Sequence, residues 1–272
     1  MIISEIRTFI PLVLKACIEA SEAIMHIYKT GFDPSMKADG SPVTQADLLS
    51  NSIIKSTLEK TGIPTIMEES INSPFEIRKS WDTVWIVDPL DGTKEFIRKN
   101  GEFAICIALV HQNQAVLGFI VSPATQEIIF GGKDIPVNLL GFNDLEKTEN
   151  WKVISPKTEI NKPFKIAGSR SHYSGNDLQF NQSMQELFGE VEFIKKGSAL
   201  KFFDLALGKA DVYPRFAPTM EWDIAAGQAI IEALGGTVVH AETGQALVYN
   251  KENLYNPYFI VKTKAVIDRL NK

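Results

Sequence analysis

Beyond Gly62 the apolar residues of this chain change their spacing, and that change limits what it can fold into. Before it, Ile3, Ile6, Ile10, Val13, Leu14, Cys17, Ile18, Ile24 and Ile27 recur at mostly three- and four-residue steps. That spacing predicts an amphipathic helix over 3–30, with a bend expected at Pro11. A turn-rich stretch, Lys37 to Thr44, follows, and Asp47 opens a second helical pattern that ends near Gly62. After it come compact apolar runs at Thr65-Ile-Met67, Val84–Val87, Phe103–Val110, Ala115–Val121 and Glu127–Phe130, which read as strands. Short polar connectors join the last three, so an antiparallel meander is expected.

The stretch 141–163 is polar, carries Pro156 and Pro163, and has no apolar period, so it is the expected boundary between two halves, 1–150 and 151–272. Beyond it strands and helices alternate. Lys165-Ile-Ala167, Val191–Ile194, Ala210–Tyr213, Thr237–Val239 and Tyr258–Val261 read as strands. Helices are expected near 176–188, 198–207 and 221–234, which together suggest a helix-covered sheet.

With 272 residues, 44% of them hydrophobic, the chain can bury a substantial core. Its formal charge of −5 argues against a nucleic-acid polymer as partner, because such binding neutralises many phosphates with Lys and Arg. A small phosphate ligand remains compatible, since bound divalent cations invert the field around clustered carboxylates. The two cysteines, Cys17 and Cys106, sit in apolar runs and read as buried reduced thiols. No apolar stretch approaches the ~20 residues that span a bilayer, so no integral membrane segment is expected. The expected compartment is the cytoplasm, with peripheral association with the inner face of the membrane left open.

The chemistry concentrates where one of these strands ends. Val84-Trp-Ile-Val87 runs into Asp88, Pro89 forces a turn, Asp91 follows, and Gly92 allows a backbone angle other residues avoid. Such a turn can aim Asp88, Asp91 and the Leu90 carbonyl at one point, three hard oxygen donors of the kind magnesium takes. The amides of Gly92 and Thr93, at a helix start, suit phosphate oxygens. Glu68-Glu69 directly follows another apolar strand, and Asp223 lies at the start of a helix rich in small residues. Two cations held by carboxylates from separate elements can clamp the attacking and leaving oxygens of a phosphoryl transfer.

Taken together, Asp39-Gly-Ser-Pro-Val-Thr-Gln-Ala-Asp47, Glu68-Glu-Ser70, Trp85-Ile-Val-Asp-Pro-Leu-Asp-Gly-Thr93 and Glu221-Trp-Asp223 resemble the inositol monophosphatase superfamily of lithium-sensitive phosphatases. Within it, Asp91-Gly-Thr-Lys-Glu-Phe-Ile97 followed by Asn100-Gly-Glu-Phe103 is similar to the CysQ-type 3'(2'),5'-bisphosphate nucleotidases. The resemblance spans essentially the whole chain, with the motifs in the family's order. It implies a layered α/β fold, an αβαβα sandwich with an α+β first half and an α/β second half. It implies two or three Mg2+ ions, the first held by Glu68, Asp88 and the Leu90 carbonyl, the second by Asp88, Asp91 and Asp223. Asp47 and Thr93 match the pair that orients and deprotonates the attacking water. Spacing alone does not choose between Glu68 and Glu69.

The resemblance also implies nucleotide contacts from the second half, through Ser169 and His172 and through Gly197, Ser198 and Lys201. Lys201 would supply a point charge for a second phosphate. The implied reaction is release of the 3'-phosphate of adenosine 3',5'-bisphosphate to give AMP, with 3'-phosphoadenylyl sulfate as a second substrate. The implied setting is recycling of a by-product of sulfate activation. Alternatives are inositol monophosphate or fructose 1,6-bisphosphate as substrate, or a catalytically silent nucleotide sensor. An aspartyl-phosphate mechanism is disfavoured, because two residues separate Asp88 from Asp91 where that pattern has one. The chain is expected to be a monomer or a homodimer.

Overall fold

In the computed structural model, which describes residues 3–37, 40–168 and 175–271, the N-terminal helix α1 (Ile3–Thr30) contains Pro11 within its span. A two-strand ribbon, β1 (Ser35–Met36) and β2 (Pro42–Val43), leads to helix α2 (Gln45–Leu58). This helix begins two residues before the expected Asp47, because Thr44 caps it through a reciprocal bond pair with Asp47. Strands β3 (Thr65–Met67), β4 (Thr83–Asp91), β5 (Ala104–His111), β6 (Gln114–Ser122), β7 (Glu127–Gly132), β8 (Ile135–Gly141) and β9 (Lys152–Val153) pair in sequence order as a seven-stranded sheet. Short helices α3 (Phe75–Arg78) and α4 (Thr93–Ile97) flank β4. The meander is present, and it extends two strands further than the apolar pattern indicates. β8 has mixed burial and β9 is two exposed residues, so neither carries a strong hydrophobic signal.

The second sheet has strand order β11-β10-β12-β14-β13. Its strands are β10 (Phe164–Gly168), β11 (Val191–Lys195), β12 (Val212–Arg215), β13 (Thr237–His240) and β14 (Phe259–Lys262). Helix α5 (Gly175–Phe188) connects β10 to β11, α6 (Leu200–Ala206) leads to β12, α7 (Glu221–Ala233) leads to β13, and α8 (Lys264–Leu270) ends the chain. The expected helix from Ser198 is shorter at its start, because Ser198 itself has a left-handed φ of 51° and belongs to the preceding turn.

Period-two alternation divides the core. Trp85, Val87, Ile105, Ile107 and Leu109 face α1 and α2, whereas Val84, Ile86, Cys106 and Ala108 face α6 and α7. Covered on both faces, the central strands are apolar almost without interruption. Helix α7 lies between the two sheets, and its small residues allow close approach. A Cβ on Gly118 of β6 would stand 2.1 Å from the Ala226 carbonyl oxygen, and one on Gly227 would stand 2.3 Å from the Phe202 ring. The outer face of the second sheet carries α5 and α8 over Phe164, Ile166 and Val212. The layers therefore run α1/α2, large sheet, α6/α7, small sheet, α5/α8, the expected αβαβα sandwich. Cys17 and Cys106 are buried free thiols, and burial pushes both thiols up. Among the described residues no helix is long and apolar enough to cross a membrane.

Candidate active site

Two features of β4 set the site. Parallel pairing aligns Met67 of β3 with Val87, so the next residue, Glu68, comes to lie beside Asp88, and its amide donates to the Val87 carbonyl at 3.1 Å. Antiparallel pairing with β5 matches Asp88 to Cys106 and Asp91 to Ala104, three residues against two, which marks a bulge. Pro89 has no amide for the ladder, and Leu90 N turns back to donate to Asp88 Oδ1 at 2.9 Å. In a regular strand Asp88 and Asp91 would face opposite ways; the extra residue lets both serve one side. The Pro89 carbonyl accepts from Ser50 Oγ of α2 at 2.7 Å, which anchors the bulge.

From the other side of the sandwich, Asp223 enters on the first turn of α7, where its Oδ2 accepts from Met220 N at 2.8 Å. One carboxylate oxygen from each of Glu68, Asp88 and Asp223 lies within 4.8 Å of the other two. Burial, and then Glu68, Asp91 and Asp223, hold the Asp88 carboxyl well above the usual range. Asp223 is raised by burial and then by Asp91. Asp91 is pushed up to about 6, by burial more than its neighbours Lys201 and the Ala199 amide pull it down. Three acids this close, all with oxygen donors, fit a hard divalent cation, which would relieve their mutual repulsion.

Beside this cluster Thr93 Oγ1 donates to Asp47 Oδ1 at 2.9 Å. The other oxygen, Oδ2, accepts from Thr44 N at 2.8 Å and Thr44 Oγ1 at 2.7 Å. Asp47 is buried, and that burial raises its pKa despite these bonds. Gly92, with φ of 94°, turns the chain from β4 into α4 and sets Thr93 at the start of that helix.

A cavity of about 130 Å³ opens next to the acids, between Asp91, Gly92, Lys94, Lys201, Arg215 and Asp223, with Gly197 and Ser198 also in its wall. Lys201 is buried there; its Nζ donates to the Ser198 carbonyl at 2.6 Å and lies 5.1 Å from the Tyr213 ring centroid. Burial lowers its pKa to about 8, although Asp91 favours its charged form. Ser169 and His172, and Asp39 of the first motif, lie outside the described residues.

Sequence reasoning missed two cations. Arg215, at the end of β12, lines the cavity with its buried Nε unpartnered among the described residues, while Nη2 donates to the Pro218 carbonyl at 3.5 Å. Its signal was an arginine closing a strand eight residues before Asp223. Lys37 donates to Glu68 Oε1 at 2.8 Å and also to Glu69. Burial opposes its charge, but the two glutamates raise its pKa. Glu69 thus pairs with Lys37, while Glu68 also belongs to the acid cluster.

Acids from two strand ends and a helix start, a hydroxyl–carboxylate pair and a cationic cavity meet in an αβαβα sandwich, an arrangement that could hold a divalent cation beside an anionic ligand. The chain belongs to the inositol monophosphatase family, whose model matches residues 5–268. The 3'(2'),5'-bisphosphate nucleotidase CysQ of Salmonella typhimurium is 38% identical over 248 residues, 89% of this chain and 94% of that one. The protein of the same name from Escherichia coli K12 is 37% identical over 247 residues, with the same coverage. Among solved structures, CysQ from Bacteroides thetaiotaomicron, described as a bacterial member of the inositol monophosphatase family, superposes with a TM-score of 0.81 at 39% identity. That match covers 93% of this chain and 96% of the other.

Proposed function

We propose that this protein is a 3'(2'),5'-bisphosphate nucleotidase that hydrolyses the 3'-phosphate of adenosine 3',5'-bisphosphate to AMP and phosphate, with two or three Mg2+ ions. The observation that carries the reading is the convergence of Glu68, Asp88 and Asp223 beside a small cavity walled by Lys94, Lys201 and Arg215. The acids suit a metal-bound phosphate, and the separate cations suit a second anionic group on the same small molecule. Glu68, Asp88, Asp91, Asp223 and the Leu90 carbonyl would hold the metal. When bound, magnesium neutralises the phosphate, acidifies a water and stabilises the leaving oxygen.

The chain's own residues would handle the proton and the orientation. Thr93 Oγ1, already donating to Asp47, has lone pairs free to accept from water, so Asp47 can take a proton relayed through the hydroxyl. The raised pKa of Asp47 strengthens it as a base. Backbone amides at Gly92 and Thr93 would receive phosphate oxygens, and Gly197, Ser198 and Lys201 would contact the nucleotide, together with Ser169 and His172. In this assignment residues 1–150 are the metal-binding half, and 151–272 supply the nucleotide contacts and Asp223. Two buried free thiols fit a reducing compartment, and we place the reaction in the cytoplasm, recycling a by-product of sulfate activation.

The test is phosphate release with magnesium from adenosine 3',5'-bisphosphate, inositol 1-phosphate and fructose 1,6-bisphosphate, side by side. The nucleotide should give the highest kcat/KM. A preference for either of the others overturns the substrate assignment and leaves the metal site standing.

A further inference from the structure

The segment Asn100-Gly-Glu-Phe103 takes no part in the metal cluster, yet it touches the two turns that border the cavity. Glu102 Oε2 accepts from Gly197 N at 2.9 Å, across 95 residues of sequence and from one half of the sandwich to the other. The fit is close on every side. A Cβ on Gly197 would stand 2.7 Å from Glu95 Cγ and 2.8 Å from the Glu102 carbonyl oxygen. A Cβ on Gly92 would stand 3.1 Å from that same carbonyl oxygen and 3.1 Å from Ser198 Cβ. Glu102 is therefore wedged between the turn that starts α4 and the turn that precedes α6.

The loop that presents Glu102 is itself fixed. Asn100 Oδ1 accepts from Glu102 N at 2.9 Å, and Gly101 takes a φ of 75° that a larger residue would resist. Phe103 is fully buried, its ring 5.1 Å from both Phe96 and Tyr28. On the far side, Ser198 holds a left-handed φ of 51°, an unfavourable angle for a residue with a side chain. Something must hold that turn in place. Immediately after it, Ala199 N donates to Asp91, and Lys201 closes back onto the Ser198 carbonyl at 2.6 Å.

We propose that Glu102 is a positioning residue for substrate specificity: its carboxylate, by holding the Gly197 amide, fixes the Gly197–Ser198 turn and with it Lys201 against the cavity. This rests on the proposed nucleotidase reading, in which that turn and Lys201 meet the nucleotide. Glu102 needs no contact with substrate to act. Its carboxylate sets where the second-half wall of the cavity stands relative to the acids on β4. A phosphomonoester too small to reach that wall is indifferent to it.

The experiment compares wild type, Glu102→Ala and Glu102→Gln on adenosine 3',5'-bisphosphate and on p-nitrophenyl phosphate. Thermal unfolding is followed alongside. The alanine variant should raise KM for the nucleotide at least tenfold, while its kcat, and kcat/KM for p-nitrophenyl phosphate, stay within threefold of wild type. Glutamine keeps an acceptor oxygen for Gly197 N and should restore most of the nucleotide KM. Equal losses on both substrates, or a glutamine variant as impaired as alanine, would overturn the proposal. So would an alanine variant with unchanged KM. If wild type prefers inositol 1-phosphate, the nucleotidase reading fails. The same three proteins, compared on inositol 1-phosphate against p-nitrophenyl phosphate, then decide whether Glu102 positions the wall for that substrate.

Discussion

Replacing Asp88 by Asn removes the central charge of a cluster whose members repel one another in the metal-free protein. Glu68 and Asp223 each offer an oxygen within 4.8 Å of Asp88, which is buried while the other two are half-buried. At that separation two unit charges cost about 3.5 kcal/mol with an effective dielectric of about 20. Proton uptake limits the penalty. A carboxyl that stays neutral at pH 8 rather than ionising with its ordinary pKa gives up roughly 6 kcal/mol at most. The substitution should therefore recover about 2–4 kcal/mol in EDTA near pH 8. For a chain of this length that is a Tm rise of about 4–8 °C. Packing should change little, since the Asn oxygen can still accept from Leu90 N, which donates to Asp88 Oδ1 at 2.9 Å.

The pH dependence supplies the check on mechanism. The Asp88 carboxyl is raised in the folded state, so the folded state binds more protons than the unfolded one as pH rises above the ordinary carboxylate range. Stability of the metal-free wild type is thus favoured at low pH and falls as pH rises through the raised value. The variant lacks this group, so its advantage in EDTA should be small near pH 4 and widen toward pH 8. Magnesium should reverse the order. It should stabilise wild type by about 2.7 kcal/mol at a hundredfold excess over Kd, and the variant by far less. Thermal unfolding with EDTA or magnesium across this pH range reads all of this. A variant less stable than wild type in EDTA at pH 8, or a difference that does not change with pH, would refute the repulsion argument.

Thr93→Ala should lower kcat about 10²–10⁴-fold at saturating substrate, and Thr93→Ser should recover most of it, because the bond to Asp47 needs only a hydroxyl. Lys201→Met, which keeps the bulk without the charge, should raise KM for adenosine 3',5'-bisphosphate well above any change for inositol 1-phosphate; equal effects would argue against a second-phosphate role. Gly118→Ala sets a methyl 2.1 Å from the Ala226 carbonyl and should cost about 1–3 kcal/mol, read as a lower Tm, by forcing α7 off the large sheet. Lithium should inhibit in competition with magnesium, and the Asp91→Asn protein should lose turnover while keeping its far-ultraviolet circular dichroism.

Much of this molecule is legible locally. The spacing of Ile6, Val13, Cys17 and Ile24 defines a helix face whoever its partner is, and these residues are buried. The strand runs from Val84 to Phe130 announce themselves because β4 to β7 are covered on both faces and so are apolar nearly throughout. β8 and β9, at the thinly covered end of the sheet, lack that signal. The sequence motifs likewise pick out Asp47, Glu68, Asp88, Asp91, Thr93 and Asp223 as candidates.

What the chain's order alone left open is where those residues meet. Glu68 stands beside Asp88 because β3 pairs in parallel with β4, and Asp88 and Asp91 serve one side because Pro89 forces a bulge opposite Cys106 and Ala104. Pro89 announces the kink locally, but the register that places it opposite Cys106 and Ala104, and Glu68 beside Asp88, does not follow from local propensity. Lys201 on a helix face reads as solvated, yet its burial against Tyr213 and Asp91 comes from α6 being covered by α7 and the small sheet. Arg215 and Glu102 gain meaning only when the two halves close, one at the cavity wall and the other on the Gly197 amide. The separation follows from range. Hydrophobic period and turn chemistry act over a few residues and are written in order along the chain. Charge clustering, desolvation and positioning depend on distances between residues scores of positions apart, which only the packed sandwich fixes.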